Sequence, residues 1–144
     1  MTRTRSQWSI HDSLIFVDVS GSTSEHTTPQ HLSESVRYMC DAAGCVNVSV
    51  YTSNHNLTQH YFCNPGVTIP TIKMKFGGLS ALYDNVVKCM THRFEYNPDC
   101  PCYVLIISDL EDNMSVSNTK KQFNYHMETM SNMWAIDIVH PKNL

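Results

Sequence analysis

The sequence has no apolar run of membrane-spanning length, no H-E-x-x-H or other zinc spacing among its eight histidines, and no C-x-x-C pair among its six cysteines. The first absence excludes a transmembrane helix, which needs about twenty consecutive apolar residues. The other two leave no recognisable zinc or thioredoxin-type motif. Cations are also scarce: ten Lys and Arg stand against thirteen Asp and Glu, a net charge of −3. Non-specific nucleic-acid binding rests on clustered Lys and Arg, so no nucleic-acid partner is expected. Arg3 and Arg5 read as part of a solvated tail. No apolar h-region follows the charged N-terminus, so a secretory signal is not expected. Cys40, Cys45, Cys63 and Cys89 lie in or beside apolar patterned segments, as buried reduced thiols do. An intracellular, cytoplasmic address with no membrane partner follows. Cys100-Pro101-Cys102 reads as a turn cysteine and a strand-entry cysteine.

A length of 144 residues fits one domain with a substantial core. Residues 1–12 read as a flexible N-terminal arm. Strand-like and helix-like patterns then alternate, which predicts an α/β sheet with right-handed crossovers. The first strand is expected at Ser13–Asp18. Thr28 and Pro29 read as an N-cap and first helical residue, with Leu32, Val36, Met39, Cys40 and Ala43 at helical spacing and Gly44 as the stop. Val46–Tyr51 predicts a second strand, and Asn54-His55-Asn56 a turn into an antiparallel edge strand at Thr58–Cys63. Asn64-Pro65-Gly66 is another turn, followed by an irregular segment to Phe76. A second helix is expected from Ser80, burying Leu82, Val86, Cys89, Met90 and Phe94 and ending at Asn97-Pro98-Asp99. Tyr103–Ser108 predicts a strand, Lys120–Met133 an amphipathic helix, and Trp134–Val139 the last strand. The stripe of Phe123, Met127, Met130 and Met133 reads as core packing.

Three short segments carry the chemistry. Asp18-Val19-Ser20-Gly21-Ser22 follows the first strand, at the carboxyl end where ligands collect in open α/β sheets. Its carboxylate and two hydroxyls, spaced two apart in a tight turn, can face one point. Hard oxygen donors without thiol or imidazole suit Mg²⁺ or Mn²⁺ better than zinc. Gly77-Gly78-Leu79-Ser80-Ala81-Leu82-Tyr83-Asp84 places a further hydroxyl where a helix begins, and Ser108-Asp109-Leu110-Glu111-Asp112-Asn113 ends the fourth strand in carboxylates. Each residue also has a plain structural use. Asp18 could cap a turn, Ser22 satisfy loop amides, Ser80 cap the helix, and Asp109 bond the neighbouring loop, while Glu111 and Asp112 read as a solvated acidic turn.

Together the three segments resemble the von Willebrand factor type A domain. Asp18, Ser20 and Ser22 fit its D-x-S-x-S element. Gly78 to Asp84 is similar to its G-x-T-x-L-Y-D element with Ser80 in the threonine position, and Asp109 matches the aspartate of its T-D-G-E-D element. The resemblance covers about Ser13 to His140. It implies a three-layer, Rossmann-like open sheet, mostly parallel, of order about 3-2-1-4-5, with one antiparallel edge strand and helices on both faces. Residues 1–144 would then be a single, shortened domain of this type, lacking a C-terminal helix and strand. The resemblance further implies a metal-ion-dependent adhesion site holding Mg²⁺ or Mn²⁺. Ser20 and Ser22 would be direct ligands, Ser80 a direct or water-mediated one, and Asp18 and Asp109 would sit mostly behind waters or hydrogen-bond the serines. Such a site captures an Asp or Glu of a partner protein. Leu110 departs from the family by replacing the glycine after the last aspartate. If that position needs a positive φ, leucine would distort the loop and displace Asp109.

A metal-dependent protein-binding module is thus the expected function. The alternative is a metal-independent scaffold subunit of an intracellular complex. Catalysis is not expected. Asp18 to Thr23 superficially resembles the D-x-D-G-T of haloacid dehalogenase phosphatases, but Ser20 stands where that chemistry needs a carboxylate for proton transfer.

Overall fold

The computed structural model describes residues 12–43, 47–62 and 71–144. The ordered elements are β1 (Asp12–Asp18), α1 (Pro29–Ala43), β2 (Asn47–Ser53), β3 (Leu57–Phe62), α2 (Leu82–Tyr96), β4 (Cys102–Ile107), α3 (Lys120–Met130) and β5 (Ala135–Val139). Short 3-10 turns lie at Gly21–Glu25 and Pro141–Asn143. Of the expected N-terminal arm, residues 1–11 lie outside the described residues, as do the expected stop at Gly44, Cys45, Cys63 and the turn at Asn64-Pro65-Gly66. Asp12 belongs to the strand rather than to an arm. It pairs with Asn47 and Cys102, and its carboxylate accepts from Asn47 Nδ2 at 2.9 Å and from the Arg93 guanidinium.

Local chemistry sets the helix ends. Thr28 Oγ1 accepts from His31 N at 3.2 Å, which caps α1 as its Thr-Pro start predicts. Thr119 and Gln122 close a reciprocal capping box on α3. That helix ends at Met130 rather than at Met133, and Met133 is exposed while Phe123, Met127 and Met130 are buried. The following chain turns and drops Trp134 into the core, 1% exposed. α2 begins at Leu82, two residues later than Ser80, for a reason that belongs to the site below.

The sheet order is β3-β2-β1-β4-β5. β1 pairs in parallel with β2 and β4, β4 in parallel with β5, and β2 antiparallel with β3. The β2–β3 hairpin turns on Asn54, whose side-chain oxygen accepts from Asn56 N at 2.9 Å. Burial of β1 on both faces accounts for its nearly unbroken apolar run. Leu14 and Phe16 join Leu82, Val86, Met90, Phe123 and Trp134 in the core under α2 and α3. Ile15 and Val17 join Leu32, Val36, Val50, Leu105 and Ile107 in the core under α1. In the described part of the irregular segment before Phe76, Ile72 and Met74 are buried in this second core. Chain order reverses direction between β1 and β4, so their carboxyl ends form the crevice in which such sheets place ligands.

Candidate functional site

Asp18 ends β1 and is 1% exposed. Its Oδ1 accepts from Ser20 N at 2.9 Å and from Ser20 Oγ at 2.6 Å, with Thr23 Oγ1 further off at 3.4 Å. Its Oδ2 accepts from Ser108 Oγ at 2.8 Å, which ties the ends of β1 and β4 together. Every donor is neutral. Among the described residues the ion pairs are His26–Asp109 and Asp12–Arg93, so Asp18 has no cationic partner. These hydrogen bonds offset part of the cost of burying the carboxylate, and a nearby cation would offset more. Because Ser20 Oγ gives its hydrogen to Asp18, its lone pairs remain for another ligand. Ser22 Oγ, on an exposed residue, lies 3.4 Å from it.

The second segment is bonded to the first. Gly77 N donates to Val19 O and Gly21 N donates to Gly78 O, both at 3.0 Å. Gly78 has φ +76, and a Cβ there would lie 2.4 Å from His55 Nδ1, so a side chain would meet both backbone strain and a clash. The next residue but one, Ser80, is 3% exposed, and its Oγ has no hydrogen-bond partner. The helix-cap reading of Ser80 therefore does not hold. The first residues of α2 are satisfied from elsewhere: Tyr83 N by Asp112 Oδ2 at 2.8 Å and Asp84 N by Ser115 Oγ at 2.9 Å. With that work taken over by another loop, Ser80 is left ahead of the helix and its hydroxyl is left over.

Asp109 is less simply placed. Its Oδ1 accepts from Glu111 N at 2.9 Å, and its Oδ2 lies 3.2 Å from His26 Nε2. His26 in turn packs edge-on against His140, ring centres 4.5 Å apart. Leu110 has φ +63, so the position does need the left-handed backbone that glycine would supply. The loop tolerates leucine because Leu110 N donates to Ser108 Oγ at 2.9 Å, its carbonyl accepts from Tyr83 Oη, and its side chain packs on the α2–α3 core. Asp112 is not a solvated turn residue. It accepts from Tyr83 N, Met114 N, and both the amide and hydroxyl of Ser115. Burial raises the Tyr83 phenol above its ordinary pKa, and the Asp112, Glu111 and Asp109 carboxylates add to that. Asp84 is held below the ordinary carboxylate range. Burial pushes it up, but hydrogen bonds from the Val116 and Ser117 amides and the Asn118 side chain outweigh that effect.

The structure thus brings Asp18, Ser20 and Ser22 together and fastens the Ser80 loop to them, while the Asp109 carboxylate is engaged with His26. No three His, Cys, Asp or Glu side chains cluster as a metal cage among the described residues. Any ion here would rely on hydroxyls, which suits a hard, oxygen-seeking cation that keeps several waters. Two observations fit such an ion: the buried Asp18 without a counter-charge, and the orphaned Ser80 hydroxyl.

No family model matches the sequence, and a search of curated proteins gives no match. Among solved structures, the ArnB paralog VWA2 from Sulfolobus acidocaldarius matches with a TM-score of 0.61 at 15% sequence identity. The match covers 90% of this chain and 33% of that one, so the chain spans about a third of its length. This chain has a von Willebrand factor type A-like fold. At that identity the likeness concerns the fold alone, and the case for a metal rests on this chain's own residues. No helix among the described residues is long and apolar enough to cross a membrane.

Within this type A-like fold, three residues matter that sequence reasoning passed over. Ser108 stands where the T-D-G-E-D element has threonine, and that match was available as a signal. Asn113 orients the Ser80 backbone, accepting from Ser80 N at 2.8 Å and donating its own amide to Ser80 O at 3.1 Å. His26 carries no motif that could have marked it.

Proposed function

We propose that the chain is a protein-binding module. In this reading a Mg²⁺- or Mn²⁺-type ion at Asp18, Ser20, Ser22, Ser80 and Asp109 captures an Asp or Glu side chain of a partner protein. The observation that carries it is the buried Ser80 hydroxyl with no partner, on a loop bonded to the turn after Asp18. When bound, the ion supplies a Lewis-acidic position that a carboxylate from outside can complete. The chain's own residues prepare for this. Asp18 takes the hydrogens of Ser20 and Ser108, leaving the Ser20 oxygen to act as an acceptor, and Ser22 offers a second hydroxyl at the exposed edge. With the carboxylates set back, the position stays electrophilic. The role proposed is binding rather than catalysis, in the cytoplasm, with no nucleic-acid or membrane partner.

One observation favours a second reading, a metal-independent scaffold subunit of an intracellular complex: both Asp109 oxygens already have partners within the chain. Thermal melting of the purified chain in EDTA and then in millimolar Mg²⁺ or Mn²⁺ separates the two. Metal at about a hundred times its Kd adds roughly 2.7 kcal/mol, a rise of several degrees at this size. An unchanged melting temperature would sink the metal reading and leave the scaffold.

A further inference from the structure

The two loops that meet at Ser80 are not uniformly polar. Leu79 is 52% exposed, Met114 41% and Val116 92%. Single exposed apolar residues need no explanation, but these three stand on two loops fastened to each other at Ser80. Ser80 N donates to Asn113 Oδ1 at 2.8 Å, and Met114 N donates to Ser80 O at 3.0 Å, so Leu79 and Met114 flank one anchored residue. Val116 follows two residues on, its amide held by Asp84 Oδ2 at 2.7 Å. The backbones that carry the apolar side chains are thus fixed before any partner arrives, which lowers the ordering cost of binding.

Charge narrows the partner further. Glu111 is exposed, and Asp109 and Asp112 lie partly open beside it. A segment with several carboxylates would meet repulsion everywhere except at the ion, whereas one with a single carboxylate among apolar residues would not. We propose that Leu79, Met114 and Val116 form an apolar rim that selects a partner segment carrying one Asp or Glu flanked by apolar side chains. This rests on the reading of the site as one that captures a carboxylate through a metal ion. The carboxylate seats at the Ser20–Ser22–Ser80 hydroxyls, and its apolar neighbours cover Leu79, Met114 and Val116.

The test selects linear peptides from a random phage-displayed library on the full chain in Mg²⁺, with elution by EDTA. Affinities of the enriched peptides are then measured on wild type, Leu79→Ser and Val116→Ser, and Mg²⁺-dependent melting is recorded for all three. Both substitutions are at exposed positions, so the fold and the metal-induced melting shift are expected to survive. The expected result is enrichment of single-acid peptides with apolar flanks, and about tenfold weaker binding in each variant. Acidic peptides enriched without regard to their flanks, or bound equally by the variants, overturn the rim and leave the metal site standing. A melting shift without any metal-dependent peptide also overturns the rim. Absence of both the shift and the peptides overturns the rim together with the metal reading beneath it.

Discussion

Replacing Ser80 with alanine separates what the residue does for the fold from what it does for an ion, because the two roles predict effects of opposite sign. A serine that caps a helix costs about 1 kcal/mol when truncated. Ser80 is 3% exposed, its Oγ bonds nothing, and Asp112 and Ser115 already satisfy the Tyr83 and Asp84 amides. A buried hydroxyl without a partner carries a desolvation penalty of about 1–3 kcal/mol, so removing it relieves strain rather than adding it. In EDTA, Ser80→Ala is therefore expected to be as stable as wild type or more so, by up to about 1 kcal/mol. In metal the order reverses. At about a hundred times Kd, wild type gains roughly 2.7 kcal/mol, and a variant whose affinity is lowered about a hundredfold gains only about 0.4 kcal/mol. Urea unfolding followed through the buried Trp134, run in EDTA and in Mg²⁺, reads both numbers. A variant that loses about 1 kcal/mol in EDTA yet keeps the full metal increment would return Ser80 to the role of a helix cap and refute the reasoning.

Ser22→Ala removes an exposed hydroxyl whose hydrogen-bonding neighbour among the described residues is Ser20 Oγ at 3.4 Å, so stability in EDTA should stay within about 0.5 kcal/mol of wild type. Its metal-induced stabilisation should fall, and an unchanged Mg²⁺ affinity by calorimetry would remove Ser22 from the site. Asp18→Asn should abolish the metal response while the chain still folds, checked by circular dichroism alongside the melt; a full Mg²⁺ shift in that variant contradicts the assignment. Gly78→Ala should cost about 1–2 kcal/mol from the left-handed backbone alone. The added clash with His55 should be relieved in the His55→Ala double variant, and recovery of all the lost stability there would show that φ is not the main cost. His126 is part-buried with Nε2 unpartnered, and burial lowers its pKa below the ordinary 6.5. The unfolded chain then holds more protons than the folded one below about pH 6.5, so stability falls as pH drops through that value towards the folded pKa. His126→Gln should flatten the slope of unfolding free energy between pH 7 and about 5; an unaltered slope would exclude the residue.

The places of the strands and helices were legible because they depend on short-range pattern, whereas the strand order came with the family resemblance. Leu14–Val17 carries the unbroken apolar run of a strand buried on both faces, and Thr28-Pro29 marks the start of α1. Ser80 as a helix start was misread for an equally physical reason. Its type suits a cap, but the donors of α2 are satisfied by Asp112 and Ser115, about thirty residues further along. Local sequence states what a residue can bond and is silent on what a distant loop has already bonded. Asp18, Ser20 and Ser22 escaped that problem because their mutual geometry is set within a single turn.

Asp109 shows both sides of this divide at one residue. Leucine in the place of glycine at position 110 predicted a conflict over backbone hand, and φ is indeed +63. The conflict did not break the loop, since Ser108 Oγ and Tyr83 Oη hold the Leu110 peptide from both ends and the side chain finds the core. What the backbone could not predict is where the carboxylate points, because its partner His26 lies 83 residues earlier in the chain. An ion seated on the Ser20, Ser22 and Ser80 hydroxyls meets little competition from within the chain. An ion that also needed Asp109 would have to displace the His26 bond or accept Asp109 through water. Mg²⁺, which sheds water reluctantly, suits the second course, so the engaged Asp109 weighs less against a metal here than it would for a cation that demands direct carboxylate ligands.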